Sequence, residues 1–167
     1  MPCGSVPGYL GGEPELGYRA IQRAKAMNPN SILMLVPSGW CAGYLGLYDA
    51  AITDFERAYL INPLDPNLGH CRSGHGYMLL GLGQIEQAIV MLEEALADAP
   101  EFGTTAQALI AAYQMNGRHE DAQAMSQAML KNAPGASVSV YRANTPFTDK
   151  ALEDRYATAL LAAGIPA

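Results

Sequence analysis

Few residues in this 167-residue chain stand at a spacing that chemistry could use. His70, Cys71 and His75 come nearest. Cys71 and His75 lie four apart, on one face of any helix drawn through them, and thiolate and imidazole both ligate zinc. A zinc site takes about four ligands at fixed geometry, and no second pair at metal spacing exists, with only Cys41 able to approach from a preceding helix. The favoured reading packs His75 and Cys71 between helices, with no metal and no cofactor. Gly74-His75-Gly76 and Gly81-Leu82-Gly83 look superficially like phosphate loops, yet no Gly-Lys-Ser/Thr ending follows and no strand precedes them. His119-Glu120-Asp121 sets an imidazole beside carboxylates, but there is no Ser or Cys elbow to activate. The two acids open a helix, where negative charge is favoured in any case. No catalytic residue is assigned, and the chain is not expected to be an enzyme.

The remaining chemistry is recognition. Three rows at helical spacing hold Leu33, Val36, Trp40 and Tyr44, then His70, Ser73, Tyr77 and Leu80, then Thr104, Gln107, Ala111 and Gln114. Tryptophan and tyrosine are enriched at binding hot spots. If the rows line one groove, they favour an apolar or aromatic peptide segment, helical or extended. The competing reading buries these aromatics under a neighbouring helix, as apolar stripes usually are. The candidate partner-binding residues are Leu33, Val36, Trp40, Tyr44, His70, Ser73, Tyr77, Leu80, Gln107 and Gln114.

Positioning three such rows side by side requires a repeated element, and the prolines mark it. Pro29, Pro63, Pro100 and Pro134 fall 34, 37 and 34 residues apart, a period typical of stacked helical hairpins. Counting back from each proline keeps columns in phase: Gly17, Ala51, Ala88 and Ala122; Ile21, Phe55, Leu92 and Ser126; Ala24, Ala58, Ala95 and Met129. Gly39 and Gly76 are expected opposite Ala51 and Ala88, where two helices approach closely. Gly46, Gly83 and Gly117 supply the turn that needs positive φ. Each proline stops the second helix of its hairpin.

The spacing predicts a helix from about Glu13 to Met27, the second half of an incomplete hairpin. Three full hairpins follow: Ser31 to Leu45 with Asp49 to Asn62, Leu68 to Leu82 with Ile85 to Asp98, and Thr104 to Asn116 with His119 to Asn132. The organisation is a poorly structured segment 1–13, then an array over 14–134 made of a half repeat 14–30 and full repeats 31–63, 64–100 and 101–134. A loop or short extended segment over 135–148 and a capping helix with its tail over 149–167 complete it. The three extra residues of the second linker belong to Leu64-Asp65-Pro66-Asn67, a turn signal. The last helix carries Leu152, Tyr156, Leu160 and Leu161, a stripe suited to covering the end of the array. The start has no comparable cap, so either earlier helices of a longer protein or another copy would cover Ile21 and its neighbours.

A formal net charge of −6 argues against a phosphate-binding surface, so no nucleic acid is expected. No apolar run approaches the roughly 18 residues of a membrane span. Met1 to Gly12 does not read as a secretory signal. Three cysteines at unrelated spacings fit thiols in a reducing cytoplasm.

Over about Glu15 to Pro134 these columns resemble tetratricopeptide repeats. More narrowly, Asn28-Pro29-Asn30-Ser31, Ser38-Gly39-Trp40, Asp54-Phe55-Glu56-Arg57-Ala58 and Pro63-Leu64-Asp65-Pro66 resemble the C-terminal repeat region of bacterial class III adenylate cyclases of the rhizobial type. Pro146-Phe147-Thr148-Asp149 and the ending Ala162-Ala163-Gly164-Ile165-Pro166 are similar to the way those proteins close. The resemblance implies an all-α, right-handed solenoid of antiparallel helix pairs with a C-terminal capping helix. It further implies a regulatory or scaffolding module with a protein or peptide partner, and it carries over no catalytic residue. Repeat proteins that grip acidic chaperone tails place Lys, Asn and Arg on the inner face, and none stands in these rows. The alternative is an oligomerisation element, two copies pairing through the uncapped N-terminal end.

Overall fold

The computed structural model describes residues 14–65, 68–100 and 102–167. The expectation for residues 1–13 lies outside them, as do Pro66 and Asn67 of the longer linker. Among the described residues the chain is built of helices: α1 Pro14–Met27, α2 Ile32–Tyr44, α3 Tyr48–Ile61, α4 Leu68–Gly81, α5 Ile85–Asp98, α6 Gly103–Met115, α7 His119–Asn132, α8 Val138–Asn144 and α9 Lys150–Ala162. From α1 to α7 each helix packs on the next in chain order.

The turn glycines do what the spacing asks of them. Gly46, Gly83 and Gly117 have φ of 75°, 75° and 79°. After each, an amide reaches back to a carbonyl in the last turn: Leu47 to Ala42, Gln84 to Leu79 and Arg118 to Tyr113, all at 2.9 Å. Reaching back in this way satisfies carbonyls that a helix end otherwise leaves open.

Packing within the array turns on one ring. A Cβ added at Gly39 of α2 would sit 2.6 Å from Phe55 Cε1, and one at Gly74 of α4 would run into Phe55 Cζ. Phe55 is therefore gripped between two glycines on successive hairpins, and its exposure is zero. The expectation had set Gly39 opposite Ala51; its nearest neighbours are the Phe55 ring instead. Gly76 meets Leu92 as well as the Ala88 carbonyl.

The N-terminal helix is held by polar contacts. Lys25 Nζ lies 2.8 Å from both carboxylate oxygens of Asp54, Ser38 Oγ donates to the same carboxylate, and Gln22 Nε2 donates to Ser38 at 2.9 Å. Asp54 and Ser38 are buried, so α1 docks on α2 and α3 through a satisfied ionic network. One hairpin further along the array the same place is less polar. The rings of His75 in α4 and Tyr59 in α3 stack with centroids 6.1 Å apart.

Burial lowers the His75 pKa below its usual 6.5, against a smaller upward pull from Glu56. The unfolded chain then binds more protons than the folded one between the two pKa values. The contribution of His75 to stability is full above pH 6.5 and is lost as pH falls through the lower, folded value. The urea midpoint is expected to fall on acidification below pH 6.5, and less steeply in His75→Asn; identical slopes would remove His75 as the cause.

Two departures from expectation concern the C-terminal region. Residues 138–144, within the expected loop, form α8, started by Ser137, whose Oγ accepts the Val140 amide at 3.2 Å. The sequence hides this helix because Val138 and Val140 are β-branched and weak helix formers. The second departure is α9. It packs on α6 of the last hairpin and also reaches inward, its Tyr156 stacking on Tyr77 of α4. Leu152, Tyr156 and Leu160 are buried there while Leu161 remains exposed. Aromatic partners from α4 draw it inward.

Candidate functional site

The inner face is lined by α2, α4 and α6, and most of the recognition residues read from the sequence lie on it. Trp40 packs its ring 6.0 Å from Tyr44, 6.2 Å edge-on to Phe55 and 6.3 Å from Tyr77. Tyr77, Leu80 and Ser73 have zero exposure, and Val36, Trp40 and Tyr44 are buried too. Ser73 accepts a hydrogen bond from Thr105 at 2.9 Å. His70 is half-buried with its ring edge-on to Phe102 at 4.4 Å. Leu33 is 71% exposed, and Gln107 and Gln114 are half-buried. Nine of the ten candidates thus divide into a buried floor at one end of the groove and an open stretch, Leu33, His70 and Gln107, at the other, while Gln114 lines a cleft beside α9.

What covers the floor is the chain's own C-terminal segment. Phe147 lies flat on Tyr77, centroids 5.0 Å apart at 11° between planes, and meets Tyr44 edge-on at the same distance. Tyr156 of α9 stacks on Tyr77 at 4.9 Å, and Tyr141 of α8 stacks on Tyr156 at 4.6 Å. The hydroxyls of Tyr77 and Tyr141 share a 2.7 Å hydrogen bond. Such stacked and edge-on pairs contribute beyond the area they bury. Burial pushes the phenols of Tyr77 and Tyr156 well above the usual 10, so both stay neutral.

Backbone and charge complete the fit. Tyr44 is the last residue of α2, and its carbonyl, one of the four a helix end leaves unpaired, accepts from the Thr148 amide at 2.8 Å and from Thr148 Oγ1 at 3.0 Å. Asp149 caps α9 by accepting the Leu152 amide at 3.0 Å, and its other oxygen accepts from Tyr48 Oη at 2.8 Å. These bonds, the Leu152 amide first, hold the Asp149 carboxyl below its usual pKa. Tyr48 reaches that point because Gly81 leaves room: a Cβ there would fall 2.6 Å from the Tyr48 ring. Beside α9 a cleft of about 630 Å³ stays open, lined by Gly83, Ile85, Gln114, Met115, Arg155 and Thr158 among others.

Tyr48, Phe147, Thr148, Asp149 and Tyr156 therefore join the candidate site, and none of them is among the recognition residues expected from the sequence. One signal was available: Tyr141, Phe147 and Tyr156 concentrate aromatics just after the repeat pattern stops. Cys71 and His75 do not converge with further ligands; among the described residues no three His, Cys, Asp or Glu side chains gather. Among the same residues no helix is long and apolar enough to cross a membrane.

A family model described as "Tetratricopeptide repeat" matches residues 79–142. The fold is a tetratricopeptide-repeat solenoid. A crystal structure of MamA is similar with a TM-score of 0.65 at 20% identity, covering 98% of this chain and 93% of that one. A double mutant of MamA RS-1 is similar with a TM-score of 0.63 at 22% identity, over 91% and 85%. A thermophilic tetratricopeptide-repeat protein of Thermus thermophilus is similar with a TM-score of 0.59 at 20% identity, over 94% and 95%. No curated protein matches. In this solenoid the inner face is where α2, α4 and α6 present side chains together.

Proposed function

We propose that this chain is a non-catalytic interaction module that binds a peptide or partner domain on the concave face of its tetratricopeptide array. One observation carries the reading: that face already holds a peptide segment, its own residues 147–160, by aromatic stacking, a carbonyl pair and a carboxylate bond. A surface that binds one segment with this geometry has the chemistry to bind another. The resemblance of Asn28 to Ser31, Asp54 to Ala58 and the tail to cyclase repeat regions favours a regulatory setting. The negative charge favours a protein partner over nucleic acid.

The test uses the open stretch, because alanine at Trp40 or Tyr77 would disturb the buried floor. Leu33→Glu combined with Gln107→Glu is expected to leave helical content and thermal midpoint nearly unchanged and to abolish capture of the partner by the full chain. Undiminished capture would sink the concave-face reading.

A second reading, pairing of two copies through α1, has its own observation: Leu16 and Met27 are 60% and 88% exposed. Sedimentation that is concentration-dependent in the wild type and not in Leu16→Glu, Met27→Glu supports it, and a strict monomer at all concentrations removes it.

A further inference from the structure

The segment in the groove is joined to the array only through Ala133 to Ser137. It also carries contacts of its own between α8 and α9. Arg142 in α8 pairs with Asp154 in α9 at 2.7 Å and lies 3.8 Å from Glu153, which Lys150 also reaches at 2.6 Å. The Val138 amide donates to the Pro166 carbonyl at 2.8 Å, and Gly164, with φ of 94°, closes α9 as the turn glycines close the array helices. These contacts tie α8 to α9 alongside the packing of α9 on α6. Besides side-chain packing, the segment's backbone contact with the groove among the described residues is the Thr148 amide on the Tyr44 carbonyl. On the groove floor the indole N–H of Trp40 is buried with no acceptor among the described residues, and an unsatisfied buried donor is unfavourable.

We propose that residues 138–165 are a displaceable occupant of the groove and the template of its partner. The partner is then a protein segment with an aromatic residue, an acidic helix cap two residues later and a tyrosine seven residues after the cap. Those are the spacings of Phe147, Asp149 and Tyr156. Phe147 and Tyr156 both stack on the Tyr77 ring, and the acid takes Tyr48. The partner's helix lies along α6, and a hydrogen-bond acceptor offered to Trp40 would give it an advantage the internal segment lacks. The internal segment competes at the effective concentration of a tethered ligand, so the groove's apparent affinity is scaled down by the fraction of chains in which it is open.

This inference rests on the concave-face reading but has its own test. The probe is a labelled synthetic peptide of residues 138–167, titrated against the full chain and against full-length Phe147→Ala. The weakened internal segment of the variant should raise peptide affinity at least tenfold over wild type, and a peptide carrying Phe147→Ala should not bind either. Equal affinity for both chains, or no binding to a variant that still unfolds cooperatively, overturns the proposal. If Phe147→Ala fails to fold, hydrogen exchange on the wild-type chain decides. Residues 138–162 exchanging ahead of 68–81 as one unit supports displacement, and equal protection overturns it. Should the peptide fail while capture still depends on Leu33 and Gln107, the template falls and the interaction module stands.

Discussion

Phe55→Ala is expected to lower the unfolding free energy by about 3–5 kcal/mol, the range for emptying a fully buried aromatic site. The upper part of that range applies because the site cannot collapse. Gly39 and Gly74 have no side chains to move inward, and the backbones that carry them belong to two different hairpins. Filling the hole would require α2 and α4 to close on each other, and Trp40, edge-on to Phe55, would have to follow. Stability in a stacked array is close to a sum of unit and neighbour-interface terms, and Phe55 enters both: it fills its own hairpin and wedges the next. Urea unfolding followed by circular dichroism measures the loss as a lower midpoint at unchanged slope. A loss under about 1 kcal/mol would mean that the two glycines are not held apart by the ring. The reverse change, Gly74→Ala, pushes a methyl into the same ring and belongs to the overpacking range of about 1–3 kcal/mol.

The repeat was legible because it rests on short-range steric rules. Positive φ at Gly46, Gly83 and Gly117 and the stop at each proline follow from residue type and place alone. The columns Phe55 and Leu92, Ala58 and Ala95 were legible for the same reason, being zero-exposure sites at a fixed period. What the pattern could not give was the identity of each neighbour. Gly39 packs on Phe55 rather than Ala51 because the ring crosses the space between helices, which a count of residues does not show. The groove was half legible. Its rows of Trp40, Tyr44 and Tyr77 stand where helical spacing put them, but spacing says nothing of what lies on top. Covering them takes contacts 64 to 104 residues apart in the chain, Tyr77 with Tyr141 and Tyr44 with Thr148. A tail with an apolar stripe and a helix cap reads alike whether it covers an end or fills a groove. Only the flat stacking of Phe147 and Tyr156 on Tyr77 distinguishes the two.

Phe147→Ala tests that distinction with the second large effect. Phe147 is 2% exposed and touches Tyr44 and Tyr77, so if the segment were an immovable part of the core the loss would again be about 3–5 kcal/mol in global stability. A segment joined by one linker has another course. Once the cavity costs more than undocking, the segment leaves the groove and the loss stops at its docking free energy. Global unfolding should then show the smaller change, and local opening the larger one. Trypsin reads the difference at Arg142 and Lys150, both in helices of the segment and both exposed at the surface, while Arg57 and Arg72 report on the array. Cleavage at the first pair tracks the open population when reclosing is fast, so an opening made easier by about 3 kcal/mol accelerates it roughly a hundredfold. Cleavage at Arg57 and Arg72 should change far less. A parallel rise at all four sites would mean that array and segment open together, and the groove would then be a core that happens to contain the chain's own end.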